Sequence, residues 1–538
     1  MIMNKGKYLL YLFVSILLVQ EGCSVKKSQP QEDEKKQPNI LILFSDQHNK
    51  KVAGYEGHPD VMTPNLDKLA NESFVFDRAY CTVGICAPSR SSLMTGIYPR
   101  TLGLLSNSET SKVMEEVVSM PSFLRKNGYK TYAFGKRHTK MAVDEGWDVK
   151  KSHICSESPE ENYVDWIEEQ GYGKEFAMDW SAEFGRGAKC SEEWEEKFPT
   201  ADLGTRISSL PEGYTMEAYT ALNTIEMINN HAETGEPFFC WATFYRPHQP
   251  YTPLKKYMDM YDVSEWGEGV NNGGSIKKPE SLYEPKENLP PMMQSIRDGG
   301  NKVWNVDKAY ADEQLFRNYI GAYYALVTEM DHYIGQIIET LEKTGLKDET
   351  IIIYTTDHGD FVGHHGMVEK AAAGQNVYED ILNIPLIIHY PGQSKGGKKQ
   401  ELVSQVDIMP TIIEILGLET TGFKHPVQGK SLHGMMQRDE PFERKYVISE
   451  SWSQAAIITE RHKLGIMLDP TEYKSRFDYR AFGDMFYIRQ KDPLEVKNGI
   501  NDEGNIKEIN LLRSYYKEFE QQYSDLGKRQ VVEAFENK

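Results

Sequence analysis

The chain of 538 residues carries 61 Lys and Arg against 80 Asp and Glu, a formal net charge of −19. This acidic balance argues against a nucleic-acid-binding protein, because a phosphate backbone attracts a basic surface. The apolar fraction of 39% and the moderate content of 25 Pro and 42 Gly exclude a disordered or fibrous chain and predict a sizeable core. An anionic substrate would therefore need a local basic pocket.

The first 22 residues predict a signal peptide. A short basic region precedes an apolar run over residues 8–19, which is shorter than the roughly 20 residues that a membrane-spanning helix needs. Cys23 follows, as in bacterial lipoproteins, where the cysteine becomes the lipidated N-terminus. Gln20 and Glu21 depart from the small or aliphatic residues of such signals, so simple cleavage is the alternative. We expect an exported bacterial protein, periplasmic or anchored to a membrane by lipid, with a polar tether over residues 23–38.

Residues 39–440 alternate between short apolar runs and helical patterns. The clearest helix covers residues 319–343, where apolar side chains recur every three or four positions and Gly345 marks the end. The apolar runs, typical of strands buried on both faces, are Ile40–Phe44, Lys130–Phe134, Phe238–Phe244, Ile351–Tyr354 and Pro385–Tyr390. The alternation predicts an α/β domain with a large, mostly parallel sheet sandwiched by helices. Ligands of such sheets bind at the carboxyl ends of strands.

Residues 441–538 follow another pattern, with four short candidate strands and a final amphipathic helix. This pattern predicts a smaller C-terminal α+β subdomain built on an antiparallel sheet. Two long segments with weak periodicity, residues 144–236 and 252–318, lie inside the larger domain. We expect these insertions to determine substrate specificity, since long loops commonly carry recognition.

The most informative motif is the segment CAPSR at residues 86–90, with Thr95 and Gly96 after it. This string resembles the modification signature of the type I sulfatases of the alkaline phosphatase superfamily. The resemblance implies that a formylglycine-generating enzyme converts Cys86 into 3-oxoalanine (formylglycine). The hydrated aldehyde is a geminal diol, in which one hydroxyl attacks sulfur and the other loses its proton to release sulfate.

The resemblance also implies a bound Ca²⁺. Asp46 and Gln47 follow the first apolar run, and Asp357 and His358 follow the run that ends at Tyr354. They match the two metal-ligand segments of the family, so these four residues and Cys86 are the predicted ligands. Gln47 replaces the more common second Asp and still offers an amide oxygen, which suits a hard cation.

The remaining predicted site residues bind sulfate or move protons. The segment GKRH at residues 135–138 resembles a family block in which Lys136 binds sulfate and His138 orients and deprotonates the diol. The segment FYRPHQP at residues 244–250 resembles the block that places His248 near the leaving oxygen, as a substrate-binding residue and proton donor. Lys370 matches a second sulfate-binding lysine, and Arg90 is expected to fix the formylglycine loop.

The resemblance covers nearly all of residues 39–500 and implies hydrolysis of a sulfate ester. The substrate class that it implies is a sulfated glycan of the glycosaminoglycan type, since residues 210–213 and 247–250 are similar to iduronate-2-sulfatases. A phosphate or phosphonate monoester hydrolase could use the same site. A non-catalytic glycan-binding protein is the alternative if Cys86 stays unmodified.

A zinc site is a further alternative to calcium. Three histidines and two aspartates lie within nine residues, and such clusters suit zinc. They are Asp357, His358, Asp360, His364 and His365.

Overall fold

Eight strands form one mixed sheet in the computed structural model of the protein, in the order β4-β3-β5-β1-β6-β7-β2-β8. Their bounds are β1 Asn39–Asp46, β2 Phe74–Tyr80, β3 Lys130–Gly135, β4 Val149–Lys151, β5 Phe238–Pro247, β6 Thr350–Thr356, β7 Leu386–His389 and β8 Gly397–Ser404. Only β7 runs antiparallel to its neighbours, β6 and β2. The predicted, mostly parallel sheet is confirmed.

Strand β1 lies at the centre of this sheet. It pairs in parallel with β5, where Ile42 lies opposite Trp241, and with β6, where Ile42 lies opposite Ile353. All eight residues of β1 are buried, which explains its unbroken apolar run: helices cover both faces, so no alternation with polar residues is needed. Because β1, β5 and β6 are parallel neighbours, their carboxyl ends meet at the same edge.

Fifteen α-helices accompany the strands in the part of the chain that the structure describes. They are α1 Pro64–Asn71, α2 Cys86–Thr95, α3 Pro99–Leu102, α4 Met120–Lys126, α5 Tyr163–Glu169, α6 Gly173–Phe184, α7 Met216–Thr234, α8 Lys255–Met258, α9 Pro291–Arg297, α10 Val306–Ala311, α11 Glu313–Thr344, α12 Glu379–Leu382, α13 Ile408–Ile415, α14 His433–Gln437 and α15 Ile506–Gln522.

Helix α11 is the longest of them, with 32 residues. The Asp312 side chain caps its start by accepting from the Gln314 amide, and Gly345 ends it in the left-handed conformation, at φ 74°. The helix predicted over residues 319–343 is thus part of a longer one. It packs beside α7 and β5 and buries apolar side chains along most of its length.

A second, antiparallel sheet of four strands follows, in the order β12-β11-β10-β9. Its strands are β9 Val447–Glu450, β10 Gln454–Ile458, β11 His462–Met467 and β12 Met485–Ile488. Helix α15 packs its apolar face on this sheet, where Leu512 and Phe519 share a core with Ile457, Leu464 and Phe486. The antiparallel α+β unit is confirmed; its boundary at residue 441 stays a prediction.

The structure describes residues 37–107, 111–139, 144–153, 157–158, 161–184, 198–299, 306–371, 377–391, 396–451, 454–468 and 483–523. The predicted signal peptide, Cys23 and nearly all of the tether lie outside these residues. Within them, no helix combines the length and apolar character needed to cross a membrane.

Candidate active site

Cys86 is the first residue of helix α2, which follows β2 after a short loop. The whole helix is buried. Its Sγ lies 3.2 Å from His358 Nε2 and 4.0 Å from Asp46 Oδ1. Burial, followed by the charge of Asp46, raises the pKa of the Cys86 thiol to about 12. An unmodified thiol at this place therefore stays protonated at neutral pH and is a poor nucleophile.

The rest of the signature holds α2 in place. Ser89 Oγ donates to the Asp357 carbonyl at 2.7 Å and so ties the first turn of the helix to the end of β6. Gly96 ends α2 at φ 65°, in the left-handed region where glycine is favoured. A Cβ at Gly96 would lie only 3.2 Å from Met409 and Val427 side-chain atoms. The glycine of the motif thus has a structural reason.

Four predicted metal ligands converge at the shared strand edge. One donor atom each of Asp46, Cys86, Asp357 and His358 lies within 4.8 Å of the other three, and all four residues are buried. Strand pairing explains this, because Ser45 of β1 lies opposite Thr356 of β6 and the two aspartates come next in each strand.

The donor set fits a hard cation once Cys86 is converted to an oxygen-bearing side chain. His358 Nδ1–H donates to the Gly359 carbonyl at 2.9 Å, which leaves Nε2 unprotonated and facing the cluster. Asp46 and Asp357 supply carboxylate oxygens. Together these residues could hold Ca²⁺.

Gln47 lies beside this cluster, and its side chain is engaged elsewhere. Its backbone N–H donates to Asp357 Oδ1 at 3.0 Å, at a φ of 66°. The side-chain Nε2 donates to Asp360 Oδ2 at 2.7 Å, and Oε1 accepts from Lys370 Nζ at 2.8 Å. The role of Gln47 as a metal ligand stays a prediction.

Arg90 forms ion pairs with the carboxylates of both Asp46 and Asp357. Its Nε donates to Asp357 Oδ2 at 2.8 Å, and an Nη lies 3.2 Å from Asp46 Oδ2. Another Nη donates to the Lys136 carbonyl at 2.6 Å, and the guanidinium lies 4.7 Å from the centre of the Phe44 ring. Arg90 thus connects α2 with the ends of β1, β3 and β6. Its role in fixing the formylglycine loop stays a prediction.

Lys136 brings a second cation to Asp46. Its Nζ forms an ion pair with Asp46 Oδ2 and lies 4.7 Å from the centre of the Tyr245 ring. Burial alone would raise the pKa of Asp46, but the charges of Lys136 and Arg90 hold it well below its usual range. Asp46 is therefore an anion at neutral pH, ready to accept a metal ion.

His138 follows β3 with its main chain fixed at φ 43°, where its backbone N–H donates to Glu157 Oε1 at 2.9 Å. The guanidinium of the neighbouring Arg137 is buried and pairs with Asp144. The catalytic role of His138 stays a prediction.

His248 lies in the segment after β5 and is buried. Its Nδ1–H donates to the Gln249 carbonyl at 2.7 Å, and its ring meets that of Tyr245 edge-on at 5.0 Å. Burial, followed by the charge of Lys136, lowers the pKa of His248 well below its usual value. In the substrate-free protein His248 is therefore neutral, and an anionic ester beside it would raise this pKa.

Lys370 belongs to a closed ring of four side chains that the sequence did not indicate. Gln47 Nε2 donates to Gln249 Oε1 at 2.9 Å, and Gln249 Nε2 donates to Glu369 Oε1 at 3.2 Å. Lys370 Nζ closes the ring by bonding both Glu369 Oε1 and Gln47 Oε1. Gln249 stands within a recognised segment and Glu369 adjoins Lys370, so their positions were the only signal available.

The histidine cluster of the zinc alternative separates in the structure. His365 Nδ1 bonds Glu284 Oε2 at 3.1 Å, and His364 Nδ1 bonds Ser281 Oγ at 3.1 Å. Asp360 accepts from Tyr319 and Gln47. Among the described residues, only Asp357 and His358 of that group join the cluster of donor atoms. These five residues are close in the sequence, but the structure does not bring them together as one metal site.

Two carboxylates, an imidazole and several cations thus surround residue 86 at the edge where β1 and β6 end, an arrangement suited to binding an anionic ester. The model of the family described as Sulfatase matches residues 38–418. The chain belongs to this family, within the alkaline phosphatase superfamily, and is a sulfuric ester hydrolase. A second family model, described as N-sulphoglucosamine sulphohydrolase, C-terminal, matches residues 363–522.

Individual relatives and solved structures are similar over most of the chain. An N-acetylglucosamine-6-O-sulfatase of Bacteroides thetaiotaomicron is 25% identical over 93% of this chain and 89% of its own. The phosphonate monoester hydrolase SpPMH from Silicibacter pomeroyi has a TM-score of 0.72 at 21% identity, over 91% of this chain and 96% of its own. A structure solved with its substrate D-glucosamine-2-N,6-O-disulfate has a TM-score of 0.65 at 22% identity, over 91% and 99%. The two structures share the fold.

Proposed function

We propose that this enzyme hydrolyses sulfate esters of glycosaminoglycan-type glycans through a formylglycine made from Cys86. The buried cluster around Cys86 carries the proposal, since it places residue 86 at a helix N-terminus between two carboxylates and an imidazole. The N-terminus of α2 favours negative charge on the diol that forms there. Sulfatase relatives named for sulfated sugars support the substrate class.

Each site residue has a separate role in this proposal. Lys136 and Lys370 bind the sulfate oxygens from two sides, and Arg90 holds Asp46 and Asp357 in place. A bound Ca²⁺ would offset the charge of the ester and favour the ionised form of residue 86. Burial would lower the pKa of Lys370, but the charge of Glu369 raises it above its usual value, so this lysine stays charged at neutral pH.

His248 is proposed to donate the proton that the leaving alcohol needs, and His138 to act on the diol. His248 Nδ1 is already bonded to a carbonyl, so Nε2 is the nitrogen that can exchange a proton with substrate. The anionic ester raises the pKa of this imidazole and so supplies the proton donor only when substrate is bound.

The decisive test is the mass of the peptide that carries residue 86. We expect the loss that accompanies exchange of CH₂SH for CHO, in protein made by a host with the modifying enzyme. Cys86→Ser should abolish turnover, whereas Cys240→Ser, at a buried free thiol in β5, should not. An unmodified peptide in active protein would contradict the proposal.

The metal is tested separately. Chelation should remove activity from the modified enzyme, and Ca²⁺ should restore it. Restoration by Zn²⁺ but not by Ca²⁺ would overturn the assignment.

Phosphonate monoester hydrolysis is the second candidate function, favoured by the structural likeness to such enzymes. Sulfate, phosphate and phosphonate esters of one alcohol separate the two candidates. We expect the highest kcat/KM for the sulfate ester, and a higher value for either phosphorus ester would favour the alternative.

We further propose that the chain is exported and anchored by lipid at Cys23. Metabolic labelling with a fatty-acid analogue should mark the wild-type protein and not Cys23→Ala. Labelling of neither protein would contradict the anchor.

A further inference from the structure

Helix α6 lies within the long insertion that the sequence marks for specificity, and it faces the active site. Trp180 packs on Tyr245, with ring centres 5.5 Å apart. Tyr245 in turn contacts both Lys136 and His248. One face of α6 therefore adjoins the segment proposed to serve the leaving alcohol.

Glu183 lies three residues after Trp180, on the same face of α6. Its carboxyl group lies near the Gln249 side chain and within range of the charges of Glu369, Lys370 and Lys136. Gln249 belongs to the ring that orders Lys370. Glu183 is thus a residue of the insertion that lies near the ring.

One oxygen of the Glu183 carboxyl group forms no hydrogen bond with the described residues. Oε2 of Glu183 is buried and has no hydrogen-bond partner among the described residues. A buried polar atom without a partner costs free energy, so a group that bonds it on binding gains more than an ordinary hydrogen bond. Gln249 follows His248 in the chain, so the alcohol part of the substrate is the partner that this position favours.

The charge state of Glu183 is compatible with an anionic substrate. Burial, followed by the charge of Glu369, raises its pKa to about 8. At neutral pH the group is mainly a carboxylic acid, which both donates and accepts hydrogen bonds and does not repel a sulfate ester. A sugar hydroxyl, itself donor and acceptor, complements it.

We propose that Glu183 binds a hydroxyl group of the sugar that carries the scissile sulfate, and so determines specificity for sulfated sugars over simple sulfate esters. The inference rests on the proposed function and adds the residue that recognises the leaving alcohol. Trp180 supports the same wall by fixing α6 against Tyr245.

The test compares a sulfated sugar with an ester that lacks sugar hydroxyls. The wild-type enzyme is first assayed on monosaccharides sulfated at position 2 or 6, and the best substrate is paired with 4-nitrophenyl sulfate. Glu183→Ala and Glu183→Gln are measured on both, beside Glu226→Ala, which removes an exposed carboxylate from α7.

Glu183→Ala should reduce kcat/KM for the sulfated sugar about 10- to 100-fold more than for the aryl sulfate, mainly through KM. Glu183→Gln should lose less, because an amide also donates and accepts. Glu226→Ala should match the wild type on both substrates.

Equal losses on both substrates for Glu183→Ala would overturn the inference, because they would indicate a structural or general catalytic role. The inference would also be overturned if Glu183→Gln lost as much activity as Glu183→Ala and the wild type preferred choline sulfate. That result would indicate a carboxylate that binds a cation. Failure of the proposed function would differ visibly: the wild type itself would hydrolyse none of the sulfated sugars, and the inference would fall with it.

Discussion

Arg90→Met separates the stability of the active site from its chemistry. Arg90 is fully buried and forms ion pairs at 2.8 and 3.2 Å with Asp357 and Asp46, which are fully buried too. Methionine keeps the apolar contact with Phe44 but leaves two carboxylates facing each other with one cation fewer. Removal of one partner from a buried ion pair costs about 3–5 kcal/mol, so we expect a loss of that size in the free energy of unfolding of the metal-free protein.

Calcium makes this prediction specific. Two carboxylates without Arg90 attract a divalent cation more strongly, so Ca²⁺ should stabilise Arg90→Met more than it stabilises the wild type. The assay is denaturant unfolding after chelation, repeated with saturating calcium. kcat/KM measured on the folded variant should remain low, since Lys136 and Asp46 lose the anchor between them.

Arg444→Met is the matched control. Arg444 pairs with the buried Asp407 and lies 5.2 Å from the centre of the Phe442 ring, outside the candidate site. It should lose comparable stability, retain kcat/KM when folded and show the calcium response of the wild type. The reasoning is refuted if Arg90→Met is as stable as the wild type without metal, or if its calcium response is no larger.

Three further variants probe separate features. His248→Ala should reduce cleavage of a sulfated sugar about 100-fold more than cleavage of 4-nitrophenyl sulfate, whose leaving group hardly needs a proton; equal losses would contradict the role. Burial raises the pKa of Asp331 to about 7, so its contribution to stability is complete below its unfolded value near 4 and is lost as the pH rises through 7; unfolding from pH 4 to 8 should show this decline relative to Asp331→Asn. Gly135→Ala puts a Cβ 1.9 Å from the Thr243 carbonyl at a φ of 95°, so the end of β3 must shift and displace Lys136. We expect a lower temperature of thermal unfolding and slower turnover, and wild-type values of both would contradict this.

Local patterns determined the class of fold and the centre of the site. The unbroken apolar runs of β1 and β6 predicted buried parallel strands, and the aspartates that follow them had to meet at one edge if those strands were neighbours. The CAPSR motif placed residue 86 there because its residues match a known family. The sequence alone thus indicated that Asp46, Cys86 and Asp357 belong to one site.

Other strands gave no such signal. β4 has the sequence VKK at the sheet edge, and β8 begins with exposed charged residues, so neither shows the apolar run of a central strand. The antiparallel direction of β7 was also invisible, because a short apolar run of four residues is the same in both directions.

Only the tertiary structure decided which polar side chains share the pocket. Gln47 and Lys370 are 323 residues apart in the chain, yet they bond directly, and Glu369 and Gln249 complete their ring. Glu183 lies near the same ring and belongs to an insertion with weak periodicity. Hydrophobic periodicity reports how each segment meets the core, whereas contacts between polar side chains at strand ends depend on how distant segments pack, which local sequence does not encode.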